Sequence, residues 1–331
     1  MGQNNTAKRN SKAMILDLLR FREVVSGQEL AEAVRMSRTA VWKQIRRLRS
    51  EGYRIDSTPG LGYALKEIPD LLLPEEVQAG LKTRILGREI IHLTEVPSTQ
   101  AKAKELAEKE APEGTLVLTE KQTRGRGRRQ REWVCLPGSI QMSVILRPRT
   151  PPEQGTHFPL LAGVALVQAV LKVCPDLEPL LKWPNDLIVN RKKLAGILAE
   201  ISSEPERINY LTLGLGLNCN FTTKDLDPSL HEIATSLQIE SGRKVSRTAL
   251  LQALLLELEF LYFDYLGHGF EPLRLKWKAR NNTLNSRVQV TSSHKTLEGL
   301  ALDIDESGGL IVQLDDGQRV TVTAGDVSIR N

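Results

Sequence analysis

The stretch SRTAVWKQIRRLRSEGYRIDSTPGLGYAL, residues 37–65, carries two periodicities in succession. Val41, Ile45 and Leu48 recur at helical spacing, with Arg38, Thr39, Lys43, Arg46 and Arg47 opposite them and Ser37 where an N-cap hydroxyl belongs. After Gly52 the pattern alternates as a strand, turns at Pro59 to Gly62 and returns as a second strand. Upstream, Ser26 is placed to cap the helix GQELAEAV, a tight break falls at Arg35 and Met36, and Ile15, Leu16, Leu18 and Leu19 mark the apolar side of a first helix. Helix, turn, helix and wing in this order predict a winged helix-turn-helix, with Ser37, Arg38, Thr39, Lys43, Arg46 and Arg47 facing DNA. A solvated basic helix would show the same charge run, so the expectation rests on the order of elements.

Charge supports that division. Residues 1–65 hold 12 Lys and Arg against 6 Asp and Glu, whereas the remainder holds 33 against 34. A basic module followed by a near-neutral body points to a polyanion partner for the first part only. The 331-residue length suits two or three domains, and 40% hydrophobic with 26% charged residues is ordinary globular composition. No apolar run on the scale of a membrane helix and no signal-peptide core stand out, so a cytoplasmic protein without membrane contact is expected. Cys135, Cys174 and Cys219 are odd in number and scattered, which argues for a reducing compartment and against a zinc site; no metal-ligating residue is named.

Residues 67–80, with two prolines and several acidic residues, read as a linker. Beyond it, strand-like and helical segments mix without regular alternation, which predicts α+β with a mixed sheet. The most unusual segment is KQTRGRGRRQREW, residues 121–133, with five arginines around Gly125 and Gly127. Glycines let a backbone close on an anion and arginines supply forked donors, so a nucleotide phosphate is a candidate ligand. No GK[ST] follows, which excludes a Walker A loop; an RGG-like RNA-binding or disordered stretch remains open at this point. In KWPNDLIVNRKKLAGILAE, residues 182–200, Lys193 enters a strand just before small residues, either solvated or pointing a cation into a cleft. Gly214 and Gly216 alternate along one strand face, as if clearing it for a flat ligand. From about residue 277, short alternating strands joined by ESGG and DDG predict a small SH3-like β-barrel.

PSTQ, EKQTRGRGRRQREW, KWPNDLIVNRKKLAGILAE and GLGLN, in this order, resemble the catalytic domain of biotin protein ligases. With the winged helix in front, the chain resembles those members that also repress transcription, from about residue 14 onward. The resemblance implies biotin contacts from Ser98, Thr99, Gln100, Gln122, Gly125, Arg126, Gly127, Arg128, Lys193, Gly196 and Gly214. It implies nucleotide contacts from Arg128, Arg131, Trp133, Asn185, Lys193 and Asn218, with Lys193 and Arg128 carrying the chemistry. Gln100 stands where the family usually has Asn, and Gln130 where many members have Gly.

The function implied is ATP-dependent, AMP-forming ligation of biotin to a lysine of a biotin carboxyl carrier protein. Repression at operator DNA and pairing as a homodimer with biotinyl-AMP bound are implied with it. Mg²⁺ is expected with ATP, since a carboxylate attacking a phosphate needs its charge offset. Two other readings stay open here: a ligand-sensing repressor without ligase activity, and a lipoate ligase. The expected organisation is a DNA-binding domain at 1–66, a linker at 67–80, a catalytic domain at 81–275 and the barrel at 276–331.

Overall fold

A computed structural model describes residues 3–291 and 296–330, and the chain divides into two units, Met1–Leu71 and Leu72–Asn331. The first unit holds α1 (Gln3–Phe21), α2 (Gly27–Ala33), α3 (Arg38–Ser50), β1 (Arg54–Thr58) and β2 (Gly62–Glu67). Ser26 and Glu29 cap α2 reciprocally, the Ser26 hydroxyl accepting from Glu29 N at 3.1 Å and the Glu29 carboxylate from Ser26 N at 2.9 Å. Ser37 caps α3 by accepting from Ala40 N at 3.2 Å. Ile15, Leu16, Leu30, Val41, Ile45 and Leu48 are fully buried between the helices. Val25 and Tyr63 exchange backbone hydrogen bonds of 2.9 and 2.8 Å, which pins the wing to the start of α2. Gly62 permits this approach: its φ is +135°, and a Cβ there would sit 2.2 Å from Val25 O.

The second unit contains α4 (Pro74–Gln78), β3 (Ile90–Val96), α5 (Thr99–Glu108), β4 (Leu116–Gln122), β5 (Ile140–Leu146), α6 (His157–Val173), β6 (Leu180–Lys182), β7 (Asp186–Val189), β8 (Lys192–Ser203) and β9 (Ile208–Leu217). It continues with α7 (Leu237–Ser241), α8 (Arg247–His268), α9 (Glu271–Lys278), β10 (Arg287–Thr291), β11 (Thr296–Ile304), β12 (Leu310–Gln313), β13 (Arg319–Val322) and β14 (Asp326–Arg330). A seven-stranded sheet runs β3-β4-β5-β9-β8-β7-β6, parallel only between β3 and β4, where α5 makes the crossover. A five-stranded antiparallel sheet runs β13-β12-β11-β10-β14. This is the mixed α+β architecture expected.

Two features differ from the sequence reading. Leu72 and Val77, inside the stretch read as a linker, are fully buried in the core of the second unit, so the chain from 72 on is part of that unit. Pro152–Val173 is apolar and long enough, by composition alone, to cross a membrane, although no such run stood out in the sequence. In the fold it packs as the central helix, with 67% of its most apolar window buried. One apolar core joins α6 and α8 to Val288, Val290, Ile304, Leu310 and Val312 of the five-stranded sheet.

Two polar contacts inside this unit carry testable weight. The Glu259 carboxylate, 5% exposed, accepts from the backbone N–H groups of Arg84, Ile85 and Leu86 at 2.5, 2.7 and 2.9 Å. Glu259→Ala leaves three donors without a partner, and denaturant unfolding should show a loss of about 3 kcal/mol or more. His157 lies between Tyr265 Oη at 2.9 Å and Glu306 O at 3.0 Å and stacks on Phe270. Burial lowers its pKa from 6.5 to about 4, against the opposing pull of the Glu306 carbonyl and Asp305. The folded state therefore favours neutral His157. Its contribution is complete above pH 6.5 and is lost as the pH falls toward 4, amounting to about 3 kcal/mol between those limits. The unfolding midpoint should drop across this window, and His157→Gln should flatten the drop.

Candidate active site

Ser143 on β5 faces Gly214 on β9 and Leu198 on β8; one step along, Gln141 faces Gly216 and Gly196. The glycines leave this patch of sheet without side chains, and the polar residues of β5 rise beside it. A Cβ on Gly216 would lie 2.4 Å from the Trp133 ring, one on Gly196 2.9 Å from it, and one on Gly214 2.7 Å from Gln100 Oε1. The patch floors a cavity of about 150 Å³. Its wall is the start of α5, where Ser98, Thr99 and Gln100 are each 3% exposed.

Hydrogen bonds bind wall to floor. Thr99 donates its N–H to Gln122 Oε1 at 2.8 Å, and the Ser143 hydroxyl reaches Thr99 Oγ1 and Gln100 Oε1, both at 3.0 Å. Gln100, the departure from the family pattern, donates to Thr212 O and Oγ1 at 2.9 Å. Gln100 thus bridges Ser143 of β5 and Thr212 of β9.

Charge enters from three elements. Arg128, in a short 3₁₀ turn, donates to Asn185 Oδ1 and to Gly325 O at 3.2 Å. Burial works against its positive charge, and the carboxylates of Asp326 and Asp186 work to keep it. The guanidinium stays protonated because its intrinsic basicity is so high. Lys193 pairs with Asp186 at 2.7 Å and sits 5.4 Å from the Trp133 ring centroid. Asn185 is fixed by donating to Ile197 O at 2.7 Å. Arg129 and Arg131 reach Asp326 of β14 at 3.2 and 2.6 Å, so the five-stranded sheet holds the arginine loop.

Of the residues expected here, Ser98, Thr99, Gln100, Gln122, Arg126, Gly127, Arg128, Arg131, Trp133, Asn185, Lys193, Gly196 and Gly214 all line the cavity. Gly125 and Asn218 do not. Gly125 sits under the loop, where a Cβ would meet Trp133 O at 2.3 Å. Asn218 is 7% exposed and donates to Thr235 O at 2.9 Å. The side chain of Gln130 lies outside the described residues. Sequence reasoning missed Gln141, Ser143, Asp186 and Asp326 as lining residues. The first two left a signal, polar residues at period two in an otherwise apolar strand. Among the described residues no group of three or more His, Cys, Asp and Glu gathers as for a metal ion.

In the first unit, Ser37, Arg38, Thr39, Lys43, Arg46 and Arg47 are all exposed on α3. A cleft runs between α3 and the wing, lined by Arg38, Thr39 and Trp42 on one side and residues 57–63 on the other. Trp42, not anticipated from sequence, is 45% exposed with the Arg46 guanidinium 4.8 Å above its ring.

Comparison with known proteins bears on both units. Residues 92–218 match the biotin/lipoate A/B protein ligase family, 283–330 the biotin protein ligase C-terminal domain, and 12–64 an HTH domain. The chain is 40% identical over 296 residues to the bifunctional ligase/repressor BirA of Bacillus spizizenii, covering 89% of this chain and 91% of that one. The chain belongs to the biotin protein ligase family. The bifunctional ligase/repressor BirA of Escherichia coli is a 28% identical relative over 318 residues, 96% of each chain. Among solved structures, the biotin protein ligase of Aquifex aeolicus in complex with biotin and ATP superposes with a TM-score of 0.64 at 26% identity, over 73% of this chain and 99% of that one.

Proposed function

We infer that this biotin protein ligase joins biotin to AMP at the expense of ATP and transfers it to a lysine of a biotin carboxyl carrier protein. When loaded with the adenylate it represses biotin genes by binding operator DNA through α3 and the wing. The observation that carries the catalytic half is the convergence of Arg128 and Lys193 on one small cavity with a side-chain-free glycine floor and a neutral polar wall.

The neutral wall of Ser98, Thr99, Gln100 and Gln122 suits the ureido ring, and Gly196 and Gly214 shape the site beside it by letting Trp133 and Gln100 lie close to the sheet. Arg131, Trp133 and Asn185 are assigned to the nucleotide. In the first step a biotin carboxylate oxygen attacks the α-phosphorus and pyrophosphate leaves. Lys193 and Arg128 offset the repulsion between the two anions and stabilise the charge that develops. In the second step the acceptor amine attacks the acyl carbon and loses its proton, and AMP leaves. Mg²⁺ is proposed to arrive with ATP, whose phosphates and water supply most of its ligands. Asp186, beside Lys193, is the carboxylate that would meet it, and charge neutralisation is the chemistry it would supply. Gly125 and Asn218 are proposed only as supports for the loop and for β9.

ATP and labelled biotin incubated with a carrier domain should yield labelled carrier and pyrophosphate. Adenylate without labelled carrier would remove the transfer step, and neither product would leave a sensor. We further propose a cytoplasmic protein that pairs as a homodimer when biotinyl-AMP orders the arginine loop. Sedimentation should show the adenylate raising the dimer fraction; an unchanged equilibrium would exclude this switch.

A further inference from the structure

Gln141 of β5 is 1% exposed and lines the cavity beside Ser143. Its Oε1 accepts two hydrogen bonds, from Gln122 Nε2 at 3.1 Å and from the Trp133 indole Nε1 at 3.0 Å. Two donors on one oxygen fix which end of the amide is which. Nε2 is therefore the other end, covered from solvent and without a partner among the described residues. A buried amide N–H left unmet is disfavoured, and the neighbouring polar groups are engaged with one another through Thr99, Ser143 and Gln100.

We propose that Gln141 contacts substrate, its Nε2 donating to a neutral acceptor on the bicyclic head of biotin, the ureido oxygen or the ring sulfur. The cations Lys193 and Arg128 serve the anionic end, whereas Gln141 belongs to the uncharged chain that runs through Gln122 and Thr99. The same amide joins this contact to Trp133, so occupation of the head site and placement of the indole on Gly216 are linked through one side chain. The assignment rests on the reading of the cavity as a biotin site.

Isothermal titration of the full-length protein with biotin tests it. Gln141→Glu keeps an acceptor for Gln122 and Trp133 but loses the donor, and Gln141→Met loses both. Each should weaken biotin binding about 10-fold, and Gln141→Glu, which keeps the indole contact, should leave the KM for ATP within about two-fold. Lowering the pH from about 9 to about 5 should restore binding to Gln141→Glu, whose protonated carboxyl regains an O–H donor, and change the wild type little. Desthiobiotin separates the acceptors: if sulfur is the acceptor, wild type and Gln141→Met bind it equally; if the ureido oxygen is, the substitution weakens both ligands alike. Wild-type-like biotin affinity in both folded variants, or in Gln141→Glu alone at every pH, would overturn the assignment. A wild-type protein that does not bind biotin would overturn the cavity reading itself, and this assignment with it.

Discussion

Lys193→Ala is expected to slow biotinyl-AMP formation by about 100- to 1000-fold, the usual effect of removing one fixed group that stabilises developing charge. The loss has two physical parts. The cation that meets the carboxylate and the α-phosphate is gone, and Asp186, its 2.7 Å partner, becomes an unpaired anion on the wall that both anionic substrates approach. Lys193→Ala combined with Asp186→Asn should therefore recover part of the biotin affinity without recovering the rate. Arg128→Ala should reduce ligation comparably, and beyond the lost charge it should impair retention, because Arg128 ties the loop to Asn185 and Gly325. Its signature is biotinyl-AMP released into solution. Rapid-quench measurement of adenylate separates the two variants, and near-normal turnover in both would refute the site.

Removing residues 1–71 should abolish operator binding and leave ligation within about three-fold of the full chain, since each unit has its own core. Arg38, Lys43, Arg46, Arg47 and Arg49 are all exposed on α3, and the wing is pinned to the start of α2 inside the same unit. Operator binding by the full chain should fall steeply with salt, because phosphate contacts release counterions. Arg46→Ala should weaken it and reduce that slope. A truncated protein that still shifts operator DNA in a gel would refute the division of labour.

Much of this is legible in the sequence alone. The first unit could be read because its signals are local: a cap, a turn and a wing lie within 40 residues, and Ser26 and Ser37 each cap a backbone N–H three residues on. The arginine loop and Lys193 announced themselves through composition and through the glycines beside them. Asp326 did not, because its contacts are made to arginines 195 and 197 residues away and nothing around it in sequence marks it. Gln141 was hidden for another reason. A glutamine in a strand is unremarkable until its oxygen proves doubly engaged and its nitrogen free. Leu72 and Val77 were misread because prolines and acidic residues around them look like a spacer, and only packing shows them inside.

The apolar core that runs without a break from α6 and α8 into β10, β11 and β12 predicts the genetics of this locus. Lesions in the first 71 residues should separate two phenotypes, yielding alleles that have lost regulation and still support growth on limiting biotin. Lesions at Val288, Ile304 or Val312 touch no proposed substrate contact, yet they loosen the body on which Lys193 is mounted and the strand that carries Asp326. Such alleles should be conditional, failing at raised temperature in both phenotypes together, and no allele of the last 50 residues should lose regulation while keeping full ligation through loss of folding alone.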